Sequence, residues 1–401
     1  VGGSSSLPAY TGPKPPWPYR GFESFPGHFF GANESGLENA SRLELAARHQ
    51  FAGWGWQQNY KTVGPNDGHY YQQEVSLAQM ASRLAAYAQF APPSPKRQLQ
   101  AIFVYRHIEV AEFYFQVSAA AYHDQRNDEM FLRDKNGHVC WNTFDNTGPY
   151  WNFSSTRTAD WFLDEIVGEL TREADIQAVF FDETDYLYCG GPAGNCSMDM
   201  ISADAWAAQY RDKIQLLRKM AQKLNKAGIW PIYSSYNGFS DSPYRKCILP
   251  FDEYYTALHD VGWFRFYEYG FGATKPDPSW NSQGQFAQAL RESSLGLPVI
   301  VHPYPAGALP GGSVITLPLA LFLLAQNEYW YFGASSGWVE KDWQWWSEYD
   351  KHYGRPLGPA KHVTTGSQPG WSRDFEACTV WASEDLRNAT IVFKTGTTLM
   401  V

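Results

Sequence analysis

The feature that most constrains this chain is an alternation. From His28 onward, short apolar runs of strand type are each followed by a longer stretch of helical type, and the pairing recurs about eight times. The strand-type runs read HFFGAN, FAGWGWQQ, LQAIFVYRHIE, AVFFDETDY, IWPIYSSYN, WFRFYEYG, LPVIVHPYP and YWYFGAS. The clearest helical stretch is DAWAAQYRDKIQLLRKMAQKLNKAG, in which Ile214, Leu217, Met220, Ala221 and Leu224 recur at i, i+3, i+4 and Gly228 supplies the stop. A helix between two strands returns the chain to the same edge, so the strands must run parallel. Eight such units fit a closed (β/α)₈ barrel over residues 28–336. An open doubly wound sheet is the alternative, but no Gly-rich phosphate loop follows any strand.

The flanks break the rhythm. Residues 1–27 hold six prolines and read as an extended Pro/Gly/Ser-rich arm without a core of its own. Such an arm orders only against something else, a neighbouring subunit for instance. After Gly337, WVEKDWQWWSEYDKHYGRPLGPAK reads as a helix broken at Gly354 and Pro356. GWSRDFEACTVWAS and NATIVFKTGTTLMV then alternate with period two, as antiparallel strands do. Residues 337–401 are therefore expected to be a helix plus a small β appendage packed on the barrel.

Composition narrows the function. Aromatic residues make up 17% of the 401 residues, more than a core requires, and sugar rings stack on such side chains. The net charge of −9 and the lack of any Lys/Arg cluster argue against nucleic acid and anionic membrane. The longest apolar run, around residues 317–325, is too short to cross a bilayer. No zinc, EF-hand or G-x-S-x-G spacing occurs, so no metal, cofactor or serine nucleophile is expected.

The compartment can be read from sequons. There are five, at Asn33, Asn39, Asn152, Asn195 and Asn388, where chance supplies about two. With a start, VGGSSSLPAY, that looks like a trimmed mature terminus, they point to a secreted, extracellular glycoprotein of the eukaryotic secretory pathway. Cys189 and Cys196 bracket a short Gly/Pro loop that a disulfide would staple, and the odd count of five Cys leaves at least one thiol free or intermolecular.

In a barrel of this kind, chemistry sits where the strands end. Those ends carry Trp54 and Trp56; His107 and Glu109; Asp182, Glu183 and Asp185; Tyr236 and Asn237; Glu268; and His302 and Tyr304. Carboxylates, rings and amides suit a sugar pocket. Glycoside cleavage needs one ionised and one protonated carboxylate on opposite sides of the bond. Asp182 and Glu268 fit that pair, and the others fit substrate binding. Asp182 is preferred to Glu183 because it directly follows the apolar run. Tyr236 or His107 would supply its hydrogen bonds, and the rings of Phe266, Tyr267 and Tyr269 would surround Glu268. Bland readings stand beside these. Glu268 is also a candidate ion-pair partner for Arg265, His107 and His302 are candidate wall residues, Glu183 and Asp185 candidate solvated caps, and Glu109 and Glu112 candidate exposed acids.

VFFDE, FYEYG and the ending WWSEYDKHYGRPLGPA with GWSRDFEACTVW resemble glycoside-hydrolase-like TIM-barrel families. Tyr349-Asp350, the run from Gly354 to Gly358, and Trp371, Arg373 and Phe375 carry the closing pattern. The resemblance spans residue 28 to the end, and is more distantly α-galactosidase-like. It implies a strand 4 nucleophile and a strand 6 acid/base, which map to Asp182 and Glu268. The chain departs from that family in having Glu rather than Asp at the second position. The other class of function is a catalytically inert glycoprotein that builds a filament or similar extracellular structure as a homo-oligomer through residues 1–27.

Overall fold

A computed structural model describes residues 7–17, 27–31, 36–55, 73–92, 94, 98–142, 147–185, 187, 202–234, 249–268, 282–303, 315–335, 343–365 and 368–400. Eight parallel strands stand in chain order: β1 His28–Gly31, β2 Phe51–Trp54, β3 Ala101–His107, β4 Ala178–Asp182, β5 Trp230–Ser234, β6 Phe264–Glu268, β7 Val299–His302 and β8 Trp330–Phe332. A parallel bridge between Gly27 and Phe332 brings β8 back to β1 and closes the barrel. Helices cross between the strands, among them α1 Ala40–Ala47, α2 Gln73–Phe90, α3 Gln116–His123, α4 Thr156–Trp161, α5 Val167–Leu170, α6 Ala203–Lys226, α7 Phe251–Leu258, α8 Ser282–Leu295 and α9 Thr316–Ala325. α6 stops where the sequence says it should, with Gly228 at φ +78°.

The strands are mostly apolar because both faces are covered. Rings fill the interior in layers. Phe51, Phe264 and Tyr331 meet near the strand starts, with centroids 4.5–6.0 Å apart. Above them Phe30, Phe180 and Phe266 pack at 4.9–6.2 Å. Gly53 has to be glycine, since a Cβ there would lie 2.3 Å from the Phe103 carbonyl oxygen and 2.5 Å from its ring.

The arm finds its partner in the same chain. Over residues 7–17 the Tyr10 amide donates to the Leu295 carbonyl (2.8 Å) and its hydroxyl to that of Val261 (2.9 Å). Trp17 packs edge-on against Phe51 at 5.3 Å and lies 6.4 Å from Trp230, beneath the barrel floor. Residues 7–17 are thus held by contacts within their own chain. These contacts lie at the end of the barrel opposite the strand C-termini.

The C-terminal region is larger in its β part and smaller in its helical part than expected. Among the described residues between Gly337 and Lys361 only a single 3₁₀ turn, Ser347–Asp350, replaces the expected helix. Trp343, Trp345 and Tyr349 spend their rings on packing around His49 instead. A five-stranded antiparallel meander follows: β9 Lys361–Thr365, β10 Gln368–Asp374, β11 Cys378–Ser383, β12 Ala389–Phe393 and β13 Thr398–Met400. It explains the longest apolar run. α9 is buried along its whole length because the barrel covers one side and this sheet the other. Arg373 bolts the two together. Its Nη1 donates to the carbonyls of Leu323, Leu324 and Gln326 at the C-terminal end of α9, and its Nε to that of Gly358. Burial draws this guanidinium down to about 10, and four backbone acceptors hold it in place. No described helix is long and apolar enough to cross a membrane.

Candidate active site

Side chains two apart on a strand share a face. On β4 Phe180 points into the barrel, so Asp182, two residues on, points into its mouth. Asp182 is buried, at 8% exposure. Its Oδ2 accepts the Tyr105 hydroxyl at 3.0 Å and its Oδ1 the Glu183 amide at 2.9 Å. Among the described residues no cation pairs with it. Burial raises it to about 6, the hydrogen bonds from Tyr105 and Glu183 hold it down, and the Asp185 carboxylate pushes it further up. Among the described residues the side-chain donor is therefore Tyr105 rather than His107, and Tyr236 lies outside them. Tyr105 is inward on β3 and stacked on Phe180 at 5.7 Å, and burial and the neighbouring carboxylates raise its own hydroxyl far above the usual range.

The turn after β4 is pinned along its length. Glu183 adopts φ +55°, a left-handed conformation that costs a non-glycine residue about 1–2 kcal/mol. The alternation of faces breaks there, and its carboxylate comes round to 3.5 Å from His107 Nε2. Thr184 donates its hydroxyl to the Ser234 carbonyl (2.5 Å) and accepts that of Tyr254 (2.9 Å). Asp185 is fully buried rather than a solvated cap, and its carbonyl accepts the Leu249 amide at 2.9 Å.

His107 is held neutral. The Val110 amide donates to its Nδ1 at 3.0 Å, which places the proton on Nε2, facing Glu183 and, at 3.9 Å, Glu112. Burial, and secondly the charge of Lys213, bring the ring down to about 3. Glu109 and Glu112 are buried rather than exposed, and Glu109 is ion-paired with Lys213 of α6. His302 is fully buried above Phe266, with Nε2 2.8 Å from the Ser335 hydroxyl, and burial lowers it to about 3 as well. It suits a wall.

Two candidates change character. Trp54 lies fully buried on the outward side of β2 against Phe29 (6.0 Å), so it packs the barrel wall and leaves the mouth. Arg265 is paired with Glu292 of α8 on the outer face of β6. The backbone of Glu268 ends β6 in register with His302, while its side chain lies outside the described residues. Trp56, Tyr236, Asn237, Tyr304, Cys189, Cys196, Asn33 and Asn195 also lie outside them. Cys378, on β11, is buried and free. Among the described residues no group of three His, Cys, Asp or Glu is placed to hold a metal ion. Tyr105 and Lys213 are residues around the mouth that sequence reasoning did not select for the site. Tyr105 was within reach, since it shares the parity of His107 two residues later.

No protein-family model matches the chain, and no curated protein matches it significantly. Its fold does resemble solved structures that include glycoside hydrolases. A MutB mutant in complex with glucose aligns at 9% identity over 94% of this chain and 91% of that one, with a TM-score of 0.53. A GH31 family sulfoquinovosidase from E. rectale with an aza-sugar inhibitor aligns at 12% identity over 86% and 46%, with a TM-score of 0.50. A GH20 exo-β-N-acetylglucosaminidase from Vibrio harveyi aligns at 10% identity over 71% and 42%, with a TM-score of 0.39, too loose to carry weight. The chain thus spans less than half the length of the last two. At such identities the likeness shows the fold alone, and that fold is a (β/α)₈ barrel with a β-rich appendage.

Proposed function

We propose that the barrel mouth binds carbohydrate and cleaves a glycosidic bond with retention, Asp182 acting as nucleophile and Glu268 as acid/base. The observation that carries this reading is the environment of Asp182. A buried carboxylate without a cation costs several kcal/mol, and proteins keep such groups where chemistry uses them. Above pH 6 it is mostly ionised. Its oxygen attacks the anomeric carbon as Glu268 gives its proton to the departing oxygen. The ester so formed is opened by a water whose proton returns to Glu268, which leaves the anomeric configuration unchanged overall.

A panel of 4-nitrophenyl α- and β-glycosides tests this, with the first-formed anomer followed by proton NMR. At least one glycoside should be cleaved with retention. Glu268→Gln should slow substrates with poor leaving groups far more than the activated phenol, because only the former need the proton. An inverted product, or equal slowing of both, would remove Glu268 from this role. Cleavage of none, together with no retention on a glycan array, would sink the carbohydrate reading.

We also propose secretion with N-glycans. Asn39, whose Oδ1 caps α1 at the Arg42 amide, and Asn388 are both exposed. Asn152 is the weaker acceptor, since its Nδ2 already donates to the Glu129 carbonyl and its Oδ1 accepts from Gln209. Protein from the native source should lose mass on enzymatic deglycosylation, with Asn39 and Asn388 converted to Asp. No change in mass would overturn it.

A further inference from the structure

Gln209 and Lys213 stand one turn apart on the buried face of α6. Gln209 accepts the Phe153 amide at 2.7 Å and donates to Asn152 Oδ1 at 2.5 Å, which holds the helix against the segment that follows the long β3 insertion. Lys213 is fully buried, 5.0 Å from the centre of the Phe153 ring. Its ammonium donates to the Glu109 carboxylate and, at 2.7 Å, to the Glu183 carbonyl. Bringing both charges out of water costs several kcal/mol each, and an apolar pair of the same size would serve stability as well. What an apolar pair could not do is tie the chain just after β3 to the first residue after β4.

That first residue is the left-handed one. With its carbonyl on Lys213, Glu183 points its amide at Asp182 Oδ1 and its carboxylate toward His107 Nε2. We infer that Lys213 is the positioning residue of the barrel mouth, the clamp that keeps Glu183 in its left-handed turn and thereby orients Asp182 and His107 together. It touches neither substrate nor reacting atom. The inference rests on the hydrolytic reading of this mouth for its kinetic consequence, though not for its structural one.

Lys213→Met alone would take the ammonium from the buried Glu109 carboxylate, so the informative variant is Lys213→Met with Glu109→Gln, which removes both charges. Two measurements are made on the full-length protein. One is the ¹⁵N and ¹³C NMR of the His107 ring, which reports its tautomer. The other is kcat and KM on whichever aryl glycoside the wild type cleaves. The double variant is expected to fold with a wild-type circular dichroism spectrum and to lose the single Nε2-protonated tautomer. Its kcat should fall about 10²-fold with KM little changed, as misplacement of a reacting group by about 1 Å does. A double variant with the wild-type tautomer and wild-type kcat overturns the inference. So does one that fails to fold, because with no stranded ion such a collapse would make Lys213 a stability residue. If the wild type cleaves no glycoside, the functional reading falls, while the His107 spectrum still decides the role of Lys213.

Discussion

Asp182→Asn should abolish glycoside cleavage and at the same time make the protein more stable at neutral pH. The first effect follows from loss of the attacking oxygen. The second follows from burial. With its carboxyl raised to about 6, the folded chain holds a proton that the unfolded chain, near 3.8, has already released. Between those two values folding stability therefore falls as pH rises, by about 3 kcal/mol at 1.36 kcal/mol per unit. Asn removes that penalty. It offers one acceptor oxygen where two were used, by Tyr105 and by the Glu183 amide, so part of the gain is returned. A net stabilisation of about 1–2 kcal/mol is expected by urea unfolding at pH 7, shrinking toward zero or reversing at pH 4. A variant destabilised equally at both pH values would show that Asp182 is an ordinary satisfied structural acid. Catalysis in the wild type should correspondingly decline as pH falls through about 6.

The other large effect belongs to the barrel wall. Arg265 and Glu292 form an ion pair with both side chains essentially out of water, the guanidinium lying 4.1 Å from the centre of the Tyr267 ring. Burial raises Glu292 above the usual carboxylate range, and the Arg265 charge and the Gln288 side chain restrain it. Arg265→Met leaves that carboxylate uncompensated and is expected to cost about 3–5 kcal/mol at pH 7. The loss should ease in acid, where Glu292 takes up a proton and ceases to be a buried charge. Arg265→Met with Glu292→Met should lie within about 1–2 kcal/mol of wild type. If the double variant is as unstable as the single one, the pair contributes through its hydrogen bonds and not through charge compensation.

The eight strands were legible because strands covered on both faces have to be apolar along their length, and nothing but a parallel sheet links eight of them through helices. Asp182 was legible for a related reason, since the apolar run that fixes β4 also fixes which way its last residue faces. Partners were harder. Tyr105 is 77 positions from Asp182 and Lys213 is 30 from Glu183, so neither pairing leaves a local pattern. The left-handed turn at Glu183 could not be read either, because no glycine marks it. Trp54 misled because a Trp at a strand end satisfies both a sugar platform and a packed wall, and only the parity set by Phe51 and Gly53 separates them. The stretch around Trp345 and Trp346 misled in a similar way. Its rings recur at a spacing that helices also use, but they are committed to His49 and the barrel wall.

The docked arm has a consequence for how the molecule is made. Tyr10 reaches Val261 across 251 positions, and the Tyr331 hydroxyl reaches the Trp17 carbonyl across 314. On a ribosome the arm emerges before the groups that receive it, Tyr331 by 314 positions. Until β8 has been synthesised, the Phe51 and Trp230 rings that Trp17 covers belong to an unclosed sheet, the state in which bare apolar surface is most prone to aggregate. Contacts of such long sequence separation are slow to form. The arm therefore has to wait for β8 before it can be fully seated, and a nascent chain carries its own stopper, Trp17, ahead of the vessel it will close.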